Sequence, residues 1–188
     1  MNTQITSAEE ILKAAQKILL EHGASALNMR AVAAACGVSV GSIYNYFPSK
    51  SALIGATIES VWTEIFRPFT SRCYTSFDDA ATALLAALTD GEGRYPGFFS
   101  LHALSFASGD KAEGRARMAQ HFSALHGKLV EALENDTRIR AGVFDGDLSR
   151  GSFARYVMSL AISQQIHPGG SSAALLAMIR NCICNCIY

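Results

Sequence analysis

The sequence predicts an all-α protein, on three observations. Apolar residues recur at three- and four-residue spacing from one end to the other. The runs open on Ser, Asp or Asn and close on Gly or Pro, the residue types that start and stop helices. No strand-like alternation and no internal repeat stands out.

The first helix opens on Ser7–Ala8–Glu9–Glu10, a capping box with Ser at the cap and Glu three residues on. Ile11, Leu12, Ala15, Ile18 and Leu19 form its apolar stripe, and Gly23 ends it. Asn28 caps a second helix over Met29 to Ala35, and Gly37 stops it. Ser39 caps a third, Val40 to about Phe47, which Pro48 terminates by pushing the residue before it out of the α region. Ser49 caps a fourth, with Leu53, Ile54, Ile58, Val61, Trp62, Ile65 and Phe66, expected to end near Arg67 before Pro68.

Asp78 or Asp79 is expected to cap the next helix, carrying Leu84, Leu85 and Leu88, with Gly91 and Gly93 breaking it. Tyr95 to Ala107 is apolar on most sides, and Gly109–Asp110 interrupts it. A long helix follows through Met118, Phe122, Leu125, Leu129 and Leu133. Asn135 to Gly146 reads as a loop, and Asp147 as the cap of a helix with Phe153, Val157 and Leu160. His167–Pro168–Gly169–Gly170 is a short break, so the flanking helices are expected to run antiparallel. Ser171 or Ser172 then caps the last helix, Leu175 to Ile187.

Helices two and three, joined by a tight glycine turn, are the elements of a helix-turn-helix. At about 100° per residue, Val40, Ile43 and Phe47 fall on the inward face of the third helix. Gly41, Ser42, Tyr44 and Asn45 point outward, with Tyr46 on the flank. Asn can bond adenine with both ends of its amide, Tyr can bond a phosphate or touch a thymine methyl, and Ser can do either.

The stretch resembles the DNA-binding domain of the tetracycline-repressor (TetR) family of bacterial transcriptional regulators. The matching residues are Asn28–Met29–Arg30, Ala33, Gly37–Val38–Ser39, Gly41–Ser42–Ile43–Tyr44 and Tyr46–Phe47–Pro48–Ser49–Lys50. Close similarity covers about the first quarter of the chain; beyond it the resemblance is one of architecture. It implies a DNA-binding domain over residues 1–50 and a helical ligand-binding and dimerisation domain over 51–188. The implied DNA contacts are Asn28, Arg30, Ser39, Val40, Gly41, Ser42, Tyr44, Asn45, Tyr46 and Lys50. Tyr44 and Asn45 are expected to read bases, and Ser42, Tyr46 and Lys50 to hold phosphates. Val40 stands where many relatives place a basic residue, and Met1 to Ser7 lacks the Lys and Arg that relatives often carry there. The electrostatic part of the affinity should be correspondingly small.

Lys+Arg and Asp+Glu are both 16, so a nucleic-acid binder of this composition must place its cations locally. Between Gly23 and Lys50 the charges are Arg30 and Lys50, with no acid. No secretory signal and no run of about 18 apolar residues is visible, so no membrane role is expected. Five cysteines without secretory context point to free thiols and a cytoplasmic protein.

No phosphate-binding loop, dinucleotide fingerprint, nucleophile elbow or zinc-protease motif occurs, so an enzyme that borrowed the head is the least favoured class and no cofactor is expected. His102, His121 and His126 lack metal-site spacing and read as polar residues on core helices, or as an anchor for a ligand. Cys182, Cys184 and Cys186 would place two thiols on one helical face; apolar fillers of a buried helix explain them, with a thiolate site or thiol switch as the sharper alternatives.

The last two helices, Leu148 to Gln165 and Ser172 to Ile187, are expected to dimerise as a four-helix bundle about a two-fold axis, with a near-palindromic operator as the DNA partner. A charge at Ile179 should then split the dimer. Phe98, Phe99, His102, Phe106, Phe122, His126, Phe153, Tyr156 and Gln164 are the candidate pocket residues, for a flat or greasy effector, neutral or weakly charged. The runner-up is a dimeric DNA-binding protein without an effector, regulated by abundance or by its thiols.

Overall fold

The computed structural model describes residues 6–99, 111–166 and 169–184, with the backbone alone at 24, 111–118 and 166. The described residues form eight α-helices: α1 Ala8–His22, α2 Met29–Cys36, α3 Val40–Tyr44, α4 Lys50–Thr70, α5 Phe77–Arg94, α6 Lys111–Asn135, α7 Arg150–Ile166 and α8 Ser172–Ile183. A 3-10 turn at Ala24–Ala26 and an isolated antiparallel bridge between Ile139 and Cys184 complete them. The all-α class holds.

The chain divides into two compact units, Met1–Thr63 and Glu64–Tyr188. The division falls inside α4 rather than at Lys50, because Leu53 is fully buried among the apolar residues of the first unit and Ile54 and Ala56 pack against them. In the first unit, Ile11, Ala15 and Ile18 of α1 close over Val32 and Ala33 of α2 and Ile43 of α3. The capping box at Ser7 forms in full, and Gly37 takes the left-handed conformation at φ 68°. Ser49 caps α4 by accepting from the Ala52 N–H at 3.0 Å.

Several helix boundaries differ from expectation, through packing or through a competing cap. Helix α4 runs through Pro68 to Thr70. The proline removes one backbone bond in the last turn, while Phe69 stays buried and the Ser71 N–H still reaches the Arg67 carbonyl at 3.0 Å. Helix α5 begins at Ser76, whose hydroxyl accepts from the Asp79 N–H at 3.2 Å, so Asp78 and Asp79 lie in its first turn. It continues through Gly91 and Gly93. A Cβ on Gly91 would come within 2.8 Å of the Ile65 side chain, so that glycine is a packing requirement against α4 and not a break. Ser149, not Asp147, caps α7, accepting from the Ser152 N–H at 3.0 Å.

The second unit buries Phe77, Leu84, Leu85 and Leu88 of α5 against Leu125, Leu129 and Leu133 of α6 and Phe153, Val157 and Ala161 of α7. Asp136, in the expected loop, is buried, and its Oδ2 accepts the Phe77 N–H at 2.9 Å. Arg138 binds the same carboxylate through Nε and Nη2 at 3.0 and 3.1 Å. Burial alone would push the Asp136 carboxyl up, but the bonds from Arg138 and the Phe77 N–H outweigh it and hold the group below its ordinary value. Helix α8 ends at Ile183, and Arg180 grips Asp78 at 2.6 and 3.0 Å. Cys184 is extended and bridged to Ile139, so Cys182 and Cys184 do not continue on one helix; Cys186 lies outside the described residues. Ile179 is 1% exposed, so a charge there would disrupt the chain's own core before any dimer.

Candidate nucleic-acid interface

Helix α2 is set by Asn28, whose Oδ1 accepts from the N–H groups of Arg30 and Ala31 at 3.1 and 3.0 Å. Its Nδ2 donates to the Ala26 carbonyl at 2.9 Å. The side chain expected to touch the DNA backbone is thus occupied by the cap and orients α2 instead. Ser39 caps α3 in the same way, accepting from the Ser42 N–H at 3.1 Å, and its hydroxyl lies 2.9 Å from that of Ser42. Ser42 is half-buried and Val40 too, the latter packed against the core.

Regular α-helix ends at Tyr44, shorter than expected. Asn45 keeps right-handed helical angles, and the Phe47 N–H still bonds the Ile43 carbonyl at 2.9 Å, so the outward order of side chains is kept. Gly41, Tyr44 and Asn45 are exposed, with Tyr44 half open to solvent at 50%. A Cβ at Gly41 would meet only the Ser39 hydroxyl at 3.6 Å, an ordinary contact. Nothing inside the chain requires a glycine there; what the missing side chain leaves room for is a surface brought against the helix from outside. Tyr46 departs from its expected part. Its hydroxyl donates to the Thr6 carbonyl, which ties the residue before α1 to the end of the reading helix and leaves only acceptor capacity for a neighbour.

The cations of this unit fall into two sets. Lys13 pairs with Glu9 at 2.9 Å and Lys17 with Glu21 at 3.9 Å, all on α1. Arg30 is exposed in the first turn of α2 and Lys50 at the start of α4, and neither has an ion pair among the described residues. An exposed guanidinium and ammonium that flank in sequence a helix with hydroxyl and amide groups are suited to phosphates and base edges.

Residues 11–57 match the family model for bacterial regulatory proteins of the tetR family. The fold likeness extends over the whole chain: Salmonella enterica GusR superposes with a TM-score of 0.68 at 17% identity, over 96% of this chain and 98% of that one. Residues 11–57 thus carry a tetR-family DNA-binding domain, within a fold shared with GusR. Among relatives, the nucleoid occlusion factor SlmA of Pasteurella multocida is 28% identical over 155 residues, 74% of this chain and 76% of its own. The transcriptional regulator UidR of Escherichia coli K12 is 44% identical over 48 residues, 26% of this chain and 24% of its own. The matched segment is the helix-turn-helix of bacterial regulatory proteins, and no described helix is long and apolar enough to cross a membrane.

The candidate pocket residues of the second unit do not gather in one place. Phe98, Phe99 and Phe153 are core residues; Phe153 packs on Phe77 and Phe144, with ring centroids 5.5 and 5.8 Å away. Tyr156 is 61% exposed. Gln164 is half-buried near Gly170, where an added Cβ would lie 2.9 Å from its amide nitrogen. His102 and Phe106 lie outside the described residues. Phe122 and His126 do meet, in an open groove of about 650 Å³ between α6 and α7. Its apolar wall is Ala119, Phe122, Met158 and Ile162, and Ser123, His126, Arg155, Ser159 and Ser163 supply its polar groups. The sequence offered Phe122 from an apolar stripe and His126 as a polar anchor; it missed Arg155, Ser159 and Ser163, which carry no periodic apolar signal.

Proposed function

We propose that the protein is a dimeric repressor that holds a near-palindromic operator and lets it go when a small, largely apolar ligand enters the second unit. The observation that carries the DNA part is the pairing pattern of the cations. Those on α1 are neutralised within the helix, while Arg30 and Lys50 carry no acid partner among the described residues and flank the exposed Gly41, Tyr44 and Asn45 in sequence. Tyr44 and Asn45 read bases, Lys50 and Arg30 hold phosphates, and Asn28 and Ser39 orient the helices that present them. Asn45→Ala should then relax one base position at a cost of about 1–3 kcal/mol. Unchanged operator preference in a gel-shift titration of that variant would refute the reading face.

Dimerisation is supported by Tyr156, Leu160 and Met178, which are 61%, 44% and 44% exposed on the last two helices. Large apolar side chains left open on adjacent helices suit a second copy. Replacing Leu160 by Lys should yield monomers in sedimentation and weaken operator binding together, since each head then binds one half-site alone. The ligand part is tested by reciprocity: a ligand that lowers DNA affinity must itself bind more weakly in the presence of operator, by the same factor.

A second reading comes from the relative with the longest match. The likeness to a nucleoid occlusion factor spans 74% of this chain, and that to a transcriptional regulator 26%. A role in nucleoid occlusion, with DNA binding but no released operator, would leave transcript levels unchanged on deletion and alter nucleoid occlusion instead.

A further inference from the structure

The groove between α6 and α7 has an unbalanced charge. Arg155 is exposed on its wall, and its guanidinium makes no hydrogen bond or ion pair among the described residues. No Asp or Glu is among the described lining residues. Ser159 and Ser163 follow Arg155 at four-residue steps, so their hydroxyls form a row leading away from the guanidinium. His126 adds an oriented group. Its Nε2 lies 2.8 Å from the Gly151 carbonyl, which can only accept, so Nε2 carries the proton and Nδ1 is left over. Phe122, Met158 and Ile162 supply the apolar side, and the volume of about 650 Å³ lies within the roughly 300–1,000 Å³ of small-molecule sites.

We propose that this groove binds an amphipathic organic anion, with a carboxylate-type head on Arg155 and the Ser159 hydroxyl and an apolar body along Phe122, Met158 and Ile162. The proposal rests on the effector reading above and gives the ligand a charge that the sequence did not suggest. A guanidinium bonds an oxyanion with parallel N–H donors, which adds direction to the charge attraction. A second copy of the chain is the other conceivable occupant. At about 100° per residue, the Arg155–Ser159–Ile162 side of α7 lies roughly 110° around the helix from Tyr156 and Leu160, the exposed apolar pair that suits a copy. A dimer centred on that pair reaches the Ser163 edge of the groove, about 20° around the helix from Tyr156, and leaves the Arg155–Ile162 side for a ligand.

Decanoate and decan-1-ol test this, because they share a chain and differ in charge. Calorimetry on the full-length protein should show decanoate bound at least about tenfold more tightly than the alcohol. Arg155→Gln, an exposed change, should abolish that difference and leave binding of the alcohol as it was. Ser159→Trp should block both ligands, with the unliganded melting temperature and sedimentation unchanged. Equal affinities for the two ligands, full decanoate binding by Arg155→Gln, or no binding of either ligand would overturn the proposal. So would a shift of Ser159→Trp to monomers, which would make the groove a copy interface. An operator titration separates this result from the effector reading. Arg155-dependent binding that leaves DNA affinity unchanged upholds the anion site and removes the effector. Operator release by ligands indifferent to Arg155 does the reverse.

Discussion

In the first unit the exposed Arg30 and Lys50 have no acid partner among the described residues, whereas in the second Arg94, Arg138 and Arg180 hold Glu64, Asp136 and Asp78 at 2.8, 3.0 and 2.6 Å. The helix caps are local in both units, with one addition in the second. Ser7, Asn28 and Ser39 each bond an N–H two or three residues on. In the second unit the first N–H of α5 is taken by Asp136, 59 residues away in sequence. The first unit leaves two exposed cations without an ion pair among the described residues. The other spends its charges on joining distant segments, and Arg155 in the groove is an exception.

The largest effect that would test this contrast is at Asp136. Asp136→Ala should cost about 3 kcal/mol in urea unfolding, because a buried N–H and Arg138 both lose their acceptor. The carboxyl is held below its ordinary value of 3.8, so its contribution is complete above that value and is lost as pH falls through the lower, folded one. Asp136→Asn should therefore remove part of the acid-side decline in stability; a decline identical to that of the parent protein would contradict the assignment.

Next comes Gly91. An added methyl meets Ile65 at 2.8 Å, and Gly91→Ala should lose about 1–3 kcal/mol despite the gain in helix propensity. Greater thermal stability in the alanine variant would show that α5 can shift to accommodate it. Smaller still is Asn28→Ala, about 1 kcal/mol from the lost cap, with a parallel loss in DNA affinity as α2 frays. Lys50→Ala should leave stability within about 0.5 kcal/mol. It should instead weaken binding to all DNA sequences alike and lower the salt slope by about one unit. A slope equal to that of the parent protein would place Lys50 away from phosphate.

The contrast also explains what the sequence revealed. Ser7, Gly23, Asn28, Gly37, Ser39 and Ser49 were readable as helix starts and stops because each acts on backbone within a few residues of itself. Pro68, Gly91, Gly93 and Asp147 carried the same local signals and misled, since Phe69, Ile65 and Ser149 decide those places through packing and a competing cap. In the candidate site, the outward face of α3 followed from helical angle alone. The Tyr46 bond to Thr6 spans 40 residues and left no trace in spacing. In the groove, Phe122 was legible from its apolar stripe and His126 as a lone polar group on a core helix, whereas Arg155, on an exposed face, gave no signal. Ile179 shows the limit from the other side: a stripe identifies a buried face but not whether the chain itself or a second copy buries it.

The reach of the Asp136 bond bears on how the protein is made. Chains leave the ribosome at about 5–20 residues per second, N-terminus first. By the time residue 63 has emerged, every cap of the first unit is present, and its three-helix core can close. Helix α5 must wait for residue 136 before its first N–H finds a partner, and the Asp78–Arg180 pair and the Ile139–Cys184 bridge wait almost for the end of synthesis. The DNA-reading head is thus finished while the rest of the chain is still being translated, and the unit with the exposed apolar faces is the last to close.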